Sequence, residues 1–414
     1  MNVTVRNGER RGTVTVPASK SEAHRALICA ALSENGGEIS CDGTSGDIDA
    51  TVGCLEALGA EIGRRGGTIS VKPIKRPAEN PVLPCGESGS TLRFLLPVAG
   101  ALKIGATFKV SGRLPERPIE PLASCLRSHG MRIEKTDGGF ICSGALTPGD
   151  YSIPGDVSSQ YISGLLFALP LLSGESRLEI TGKIESENYI KMTENALAAA
   201  EIAYEKRGRE YLIKGGQRYV FHGQTVGRDW SGAAFFLCMG ALSGGAVTLA
   251  GLDESSAQGD REIINVLERF GAKVTRGAGG ITVSRGRLSG ITLDASMIPD
   301  LVPAVAAVAA LADGETRITG AGRLRLKESD RLKTTRLMLN SLGGDAAETE
   351  DGLIIKGKKR LSGGTVDPYN DHRIAMAAAV AASGCDAPVT VTGAECSEKS
   401  YPGFWDDLNS LEVL

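Results

Sequence analysis

Residues 316–332 read TRITGAGRLRLKESDRL. A short alternating, β-branched run ends at Gly320, and behind it Arg323, Arg325, Lys327, Glu328, Asp330 and Arg331 crowd into nine residues. The first part is the pattern of a half-buried strand closed by a turn-forming glycine. On a helical wheel the second part sets Lys327 and Arg331, four apart, on one face with Glu328 beside them. Alone, such a mixed-charge run describes an ordinary solvated helix face. Its position in a repeat that spans the chain gives it a different meaning.

Glycines that end similar runs recur at Gly43, Gly112, Gly182, Gly251, Gly320 and Gly393, at intervals of 69, 70, 69, 69 and 73 residues. Five lead-ins read FKVSG, LEITG, VTLAG, TRITG and VTVTG, and ISCDG is the weakest copy. Ahead of each lies a small-residue-rich apolar stretch that starts near Ser19, Gly89, Ser158, Asp229, Pro299 or Asp371. Apolar residues all round predict helices buried inside a domain, and Ser, Asp and Gly at their starts are capping types. After each glycine come a polar loop and an amphipathic helix, four of which stop at glycine in LEALG, LRSHG, LERFG and NSLGG. A hairpin such as AEIGRRGGTISV follows.

The sixth copy lacks its hairpin, and the first 16 residues read as a hairpin with no helix before it. The expectation is a cyclically closed arrangement, with three repeats at 18–227 and three at 228–414 completed by residues 1–17. A two-layer repeat of this length predicts closed α/β domains rather than an open solenoid.

A chain of 414 residues, 42% apolar and 23% charged, is a globular protein with room for two cores. Its net charge of -3 disfavours nucleic-acid or membrane-surface binding. Nine scattered cysteines without a CxxC pair predict reduced, buried thiols and a cytoplasmic location. The start, MNVTVRNGERRG, shows no signal-peptide core, and the longest apolar run, Leu301–Ala312, is too short to span a bilayer.

Polar residues unsuited to a core fall at two places in the repeat. The starts of the apolar helices carry Lys20, Ser21, Arg25, Gly89, Ser90, Arg93, Ser158, Ser159, Gln160, Asp300, His372 and Arg373. The loops after the strand glycines carry Arg117, Ser186, Lys327, Glu328, Arg331 and Lys399. Helix starts present unpaired N–H groups, and basic residues gathered at several of them suit a polyanionic small molecule. No GxxxxGK[ST] loop, dinucleotide fingerprint or metal-spaced cluster occurs, and His24 reads as packed. Asp300 and Glu328 beside lysines are parts for general acid–base chemistry on a bound anion.

The stretches SKSEAHR (19–25), GSTLR (89–93), LPERPIEPL (114–122), SSQYISGLL (158–166), IPD (298–300), LKESDR (326–331), NDHRIAMA (370–377) and SEKSYP (397–402) cover every repeat. Together they resemble the enolpyruvyl transferase family, and within it the 5-enolpyruvylshikimate-3-phosphate synthases. The resemblance implies an α/β fold of two similar domains, each of three βαβαββ repeats in an inside-out barrel-like arrangement. It implies transfer of the enolpyruvyl group of phosphoenolpyruvate to the 5-hydroxyl of shikimate 3-phosphate, in the shikimate pathway to chorismate and the aromatic amino acids. Neither a metal nor an organic cofactor is implied. The expected partners are the two substrates, the expected state is a monomer, and the herbicide glyphosate is an expected inhibitor.

By the same resemblance, Lys20, Ser21, Arg25, Ser158, Ser159, Gln160, Ser186, Asp300 and Lys327 would hold shikimate 3-phosphate. Lys20, Gly89, Arg117, Gln160, Arg331, Arg373 and Lys399 would hold phosphoenolpyruvate. Asp300, Glu328 and Lys20 would carry the chemistry. Glu87 and Phe94 depart from the Asn and Pro common in bacterial relatives. The sister transferases that act on UDP-N-acetylglucosamine usually have Lys-Asn where Lys20-Ser21 stands here. They also usually carry a cysteine in the loop that here reads SGRLPERP (111–118).

Overall fold

The computed structural model describes residues 1–414. The chain divides into two compact units, Lys20–Val226 and Met1–Ser19 with Gly227–Leu414.

Within Lys20–Val226 one repeat explains the others. The strand Val82–Gly86 leads into the helix Gly89–Ala101, the strand Ala106–Val110, the helix Glu120–Ser128 and the hairpin Met131–Thr136/Gly139–Gly144. Val82 pairs parallel with Thr107, and Ala106 pairs antiparallel with Cys142. The last strand therefore lies between the second and the third. Parallel neighbours need a crossover, which the first helix supplies, whereas the hairpin needs only a tight turn. Asp150–Pro154, Ser176–Thr181, Glu210–Ile213 and Glu205–Arg207 form a sheet of the same order. The third sheet takes its first strand from the far end of the unit, with Gln224–Thr225 parallel to Gly37–Ser40.

The crossover helices are the core. All but Ser90 of Gly89–Ala101 is buried, as is every residue of Val302–Ala309 and His372–Ala382. Small residues let these helices approach closely. A Cβ on Gly164 would sit 2.2 Å from the Arg93 carbonyl oxygen and 3.0 Å from Pro97 Cγ. Pro97 has no N–H to offer the Arg93 carbonyl four residues back, so the helix leaves that carbonyl open to its neighbour. The six glycines that close the second strand of each repeat all have positive φ, from 56° to 98°.

The unit Met1–Ser19 with Gly227–Leu414 repeats the plan with substitutions at its seams. Thr292–Asp294, Glu315–Thr319, Leu353–Lys356 and Asp345–Glu348 give the regular four-strand order. Val3–Val5 pairs antiparallel with Val389–Val391 and closes the sixth repeat. The expected N-terminal hairpin does not form. Arg10–Val14 instead pairs parallel with Val247–Leu249 and opens a different sheet. The edge it would have offered Val3–Val5 is taken by Glu412–Val413, in register Arg10↔Val413.

The run at 322–331 also differs from its helical-wheel reading. Gly322–Leu326 is a 3-10 turn, Lys327 is extended, and the α-helix starts only at Arg331, capped by the Asp330 side chain. Glu328 pairs with Arg331 and Lys327 with Asp300 from the segment ahead of the helix rather than from a shared helix face. All nine cysteines are buried and free. No helix is long and apolar enough to cross a membrane.

Candidate active site

Within Met1–Ser19/Gly227–Leu414, a buried charge cluster forms where three helix starts meet. Arg331, the first residue of its helix and only 2% exposed, is the hub. Its Nε donates to Asp371 Oδ2 at 2.8 Å, Nη1 to Asp300 Oδ1 at 2.8 Å, and Nη2 to Glu328 Oε2 at 2.5 Å. A longer bond of 3.3 Å runs from Nη2 to Asp371 Oδ1. Four of the five guanidinium N–H groups are thus taken by carboxylates. Asp371 caps the helix that starts at His372 by accepting from Arg373 N, and it also accepts from Ser329 Oγ at 2.9 Å.

Asp300 sits in the 3-10 turn Pro299–Leu301 ahead of Val302–Ala309. Lys327 Nζ lies 3.5 Å from its Oδ1, and Arg373 Nη2 lies 3.7 Å from its Oδ2. Burial pushes the Asp300 carboxyl up, but Lys327, Arg373 and Arg331 together outweigh burial and hold it well below the usual carboxylate range. Burial lowers Lys327 to about 8, offset in part by Asp300. Arg331 stays charged throughout, because Asp371, Glu328 and Asp300 overcome its desolvation.

Such a cluster is weak as a stabilising device, since apolar residues of similar volume usually serve a core as well or better. It holds one carboxylate ionised and a second, Glu328, a fifth exposed beside it. Close by, Tyr369 and Asn370 have φ of 53° and 56°, and the Asn370 carbonyl accepts from Lys399 Nζ at 2.7 Å. Two non-glycine residues in the left-handed region are a strained turn, of the kind that gathers at functional sites.

Within Lys20–Val226, a second polar group forms at the starts of two adjacent crossover helices. Gly89 opens one, capped by Ser88, and Ser159 opens the other, capped by Ser158. Arg93 Nη1 donates to Gln160 Oε1 at 2.7 Å, and Gln160 Nε2 donates to Ser90 Oγ at 2.8 Å. A Cβ on Gly89 would stand 2.7 Å from Arg93 Nη1 and 3.1 Å from Arg117 Nη1, which places both guanidinium ends against this helix start. Helix N–H groups and two arginines converge on one patch, as an anionic ligand requires.

Arg25 is anchored by Thr193 Oγ1 and by the carbonyls of Ser21 and Tyr189. Its guanidinium also lies over the Phe94 ring at 5.1 Å. Burial lowers it to about 10, so it remains a cation at neutral pH. Ser186, in the left-handed conformation, starts the helix that carries Tyr189 and Thr193. Lys20 pairs with Asp47 at 2.8 Å. Phe94 is a core residue stacked edge-on to His24 and Phe167. His24 is buried and neutral, with Nδ1 on Thr51 Oγ1 at 2.6 Å.

The structure thus brings Asp300, Lys327, Glu328, Arg331 and Arg373 together in one unit, with Lys399 at its margin. In the other it joins Gly89, Arg117 and Gln160, with Arg25 and Ser21 on a neighbouring helix pair. Sequence reasoning did not single out Asp371, Ser231, Asp260 or Asp47. From sequence, Asp371 is a capping residue and no more. Asp260 stands in the loop after a strand glycine, the slot that also supplies Arg117 and Lys327, so the repeat itself was the available signal.

Paired carboxylates under basic control in one unit, and basic helix starts in the other, are the parts of an acid–base enzyme that works on anions. Comparison with known proteins narrows this. The profile of the EPSP synthase (3-phosphoshikimate 1-carboxyvinyltransferase) family matches residues 6–408, and the chain belongs to that family. It is 43% identical over 414 residues to the 3-phosphoshikimate 1-carboxyvinyltransferase of Clostridium kluyveri, covering 99% of this chain and 97% of the relative. The Clostridium acetobutylicum enzyme of the same name is 40% identical over 409 residues, covering 97% and 95%. Among solved structures, an EPSP synthase from Acinetobacter baumannii superposes with a TM-score of 0.81 at 28% identity, covering 100% of this chain and 99% of that one.

Proposed function

We propose that this chain transfers the enolpyruvyl group of phosphoenolpyruvate to the 5-hydroxyl of shikimate 3-phosphate and releases phosphate. The observation that carries the reading is Asp300, a buried carboxylate within reach of Lys327, Arg331 and Arg373 at once. Transfer of this kind adds the hydroxyl to C2 of the enol while C3 gains a proton. The resulting tetrahedral adduct then loses phosphate and a methyl proton.

Glu328 supplies the proton to C3 and takes one back in the elimination. Asp300 receives the hydroxyl proton. Held ionised, it is a weak base toward a free hydroxyl, and it becomes an adequate one as attack on the cationic centre acidifies that hydroxyl. The family resemblance supports Lys20 as the third catalytic residue. Its pairing with Asp47 keeps its ammonium oriented.

For the acceptor, the family resemblance supports Lys20, Ser21, Arg25, Ser158, Ser159, Gln160, Ser186, Asp300 and Lys327. For the donor it supports Lys20, Gly89, Arg117, Gln160, Arg331, Arg373 and Lys399. Guanidinium groups suit planar carboxylates and phosphates, and Lys20 and Lys399 suit them as point charges. A single chain carries the whole set, which supports a monomer, and a biosynthetic role supports a cytoplasmic location. The test is phosphate release from phosphoenolpyruvate with shikimate 3-phosphate against UDP-N-acetylglucosamine. Release with the first acceptor alone supports the reading; release only with the second overturns it.

A further inference from the structure

Arg373 is fixed by more than its own helix. Its Nη1 donates to the Asp300 backbone carbonyl at 3.0 Å, and its Nη2 donates to Ser231 Oγ at 2.7 Å. Ser231 Oγ in turn donates to Asp260 Oδ2 at 2.5 Å. A hydroxyl has one proton, a guanidinium only donates, and an ionised carboxylate only accepts. The chain of bonds therefore has one polarity, from Arg373 through Ser231 to Asp260.

The partners are built to stay in place. Ser231 is the one residue of Trp230–Leu242 that is not buried, in a helix otherwise made of apolar and small side chains. Asp260 is buried in the 3-10 turn Gly259–Glu262. Gln258 ties that turn to the helix start, accepting from Trp230 N at 3.0 Å and donating to the Arg228 carbonyl at 2.8 Å. Burial, and then the charge of Asp300, push Asp260 up to about 6, against the pull of Arg373. A carboxylate kept in such surroundings is costly to the fold, and stability alone does not account for it.

Arg373 Nη2 stands 3.7 Å from Asp300 Oδ2, near enough to act on its charge but beyond hydrogen-bond distance. Without the Ser231 hydroxyl, the same Nη2 is free to close onto Asp300 as a tight ion pair and turn away from a ligand. We propose that Asp260, acting through Ser231, is a positioning residue that holds the Arg373 guanidinium off Asp300 and aims it at the carboxylate of the bound enolpyruvyl donor. This rests on the assignment of Arg373 to phosphoenolpyruvate made above. It adds two residues that the assignments above give to neither substrate.

The test uses the full chain with Ser231→Ala, Ser231→Thr, Asp260→Asn and the double variant Ser231→Ala/Asp260→Asn. Both KM values and kcat are measured, and phosphoenolpyruvate affinity is read by calorimetry with shikimate 3-phosphate present. Loss of one hydrogen bond to a charged group should weaken phosphoenolpyruvate binding roughly tenfold in Ser231→Ala. The KM for shikimate 3-phosphate should move less than about twofold, because a bond confined to Arg373 acts on one ligand. Ser231→Thr, which keeps the hydroxyl, should restore binding. Asp260→Asn should lie between, and the double variant should be no worse than Ser231→Ala, since residues in one chain are not additive.

Normal phosphoenolpyruvate affinity in Ser231→Ala overturns the inference, as does an equal rise in both KM values with lowered thermal stability. An additive double variant overturns the chain of action. If the wild type binds phosphoenolpyruvate in a Ser231-dependent way but transfers nothing, the transfer reading fails and the positioning role stands. If it binds no phosphoenolpyruvate, both fail.

Discussion

Asp371 grips Arg331 along one edge of the guanidinium, with Nε–Oδ2 at 2.8 Å and Nη2–Oδ1 at 3.3 Å, and it is fully buried in doing so. The same carboxylate caps a helix through Arg373 N at 3.0 Å. One side chain therefore sets the start of a core helix and the pose of the arginine that holds Asp300 and Glu328. Asp371→Asn keeps the shape and removes the charge. Breaking a buried pair costs about 3–5 kcal/mol, so the urea midpoint should fall clearly. Turnover should fall with it, and an unchanged midpoint would show the pair to be dispensable.

The acid–base assignment makes Asp300→Asn and Glu328→Gln informative together. Each should lower kcat by roughly 10²–10⁴-fold, the usual worth of a positioned proton-transfer group. Substrate affinity should change less for Glu328→Gln than for Asp300→Asn, because Asp300 is also assigned to the acceptor and sits against Lys327 and Arg373. Near-normal turnover in either variant removes that residue from the chemistry.

Gly89→Ala puts a methyl group 2.7 Å from Arg93 Nη1 and 3.1 Å from Arg117 Nη1. Both guanidinium ends must shift, so the KM for phosphoenolpyruvate should rise and inhibition by glyphosate should weaken. Steady-state kinetics with and without glyphosate reads both. Unaltered values would place the donor away from this helix start.

Lys327 gives a pH signature. Burial lowers it from 10.5 to about 8, so its proton leaves the folded protein as pH rises through about 8. The unfolded chain still binds that proton up to its ordinary value, so this group makes the fold relatively more stable across the interval from 8 to 10.5. Activity should move the other way and fall above pH 8 as Asp300 loses one cation. Lys327→Arg, which keeps its charge, should shift that alkaline limb upward in a pH–rate profile. An unmoved limb would assign it to another group.

Gly164→Ala tests the close helix packing. Its Cβ would fall 2.2 Å from the Arg93 carbonyl oxygen. Overpacking of a core typically costs about 1–3 kcal/mol, and backbone cannot give way as a side-chain tip can. Thermal unfolding should show the loss. A wild-type midpoint would mean that the two helices can separate without penalty.

Much of this was legible in the sequence, because the repeat leaves marks that local physics produces. Gly112 or Gly320 is needed where φ turns positive after a strand, and Ser158, Asp229 and Asp371 are needed to cap buried helix starts. What failed was inference about partners. Val3–Val5 and Arg10–Val14 each alternate as strands should, but the turn between them does not reveal that Glu412–Val413 occupies the intervening edge. Spacing puts Lys327 and Glu328 on a helix, whereas the Asp330 cap starts it later. Asp371 reads as a cap, and nothing in the local sequence marks Ser231 or Asp260. Their roles exist only once Arg331 and Arg373, 40 and 142 residues away, are brought against Asp371 and Ser231.

The most direct test of the central claim is to run the reaction in D₂O with phosphoenolpyruvate and shikimate 3-phosphate, and to follow both phosphate and the isotopic content of the product. Addition of a solvent-derived proton to C3, followed by loss of one of three methyl hydrogens, should leave deuterium on the product's methylene carbon. One phosphate should appear per product. Glu328→Gln should suppress both deuterium incorporation and phosphate release. Phosphate release with no deuterium in the product, or no phosphate release with this acceptor, would contradict the account.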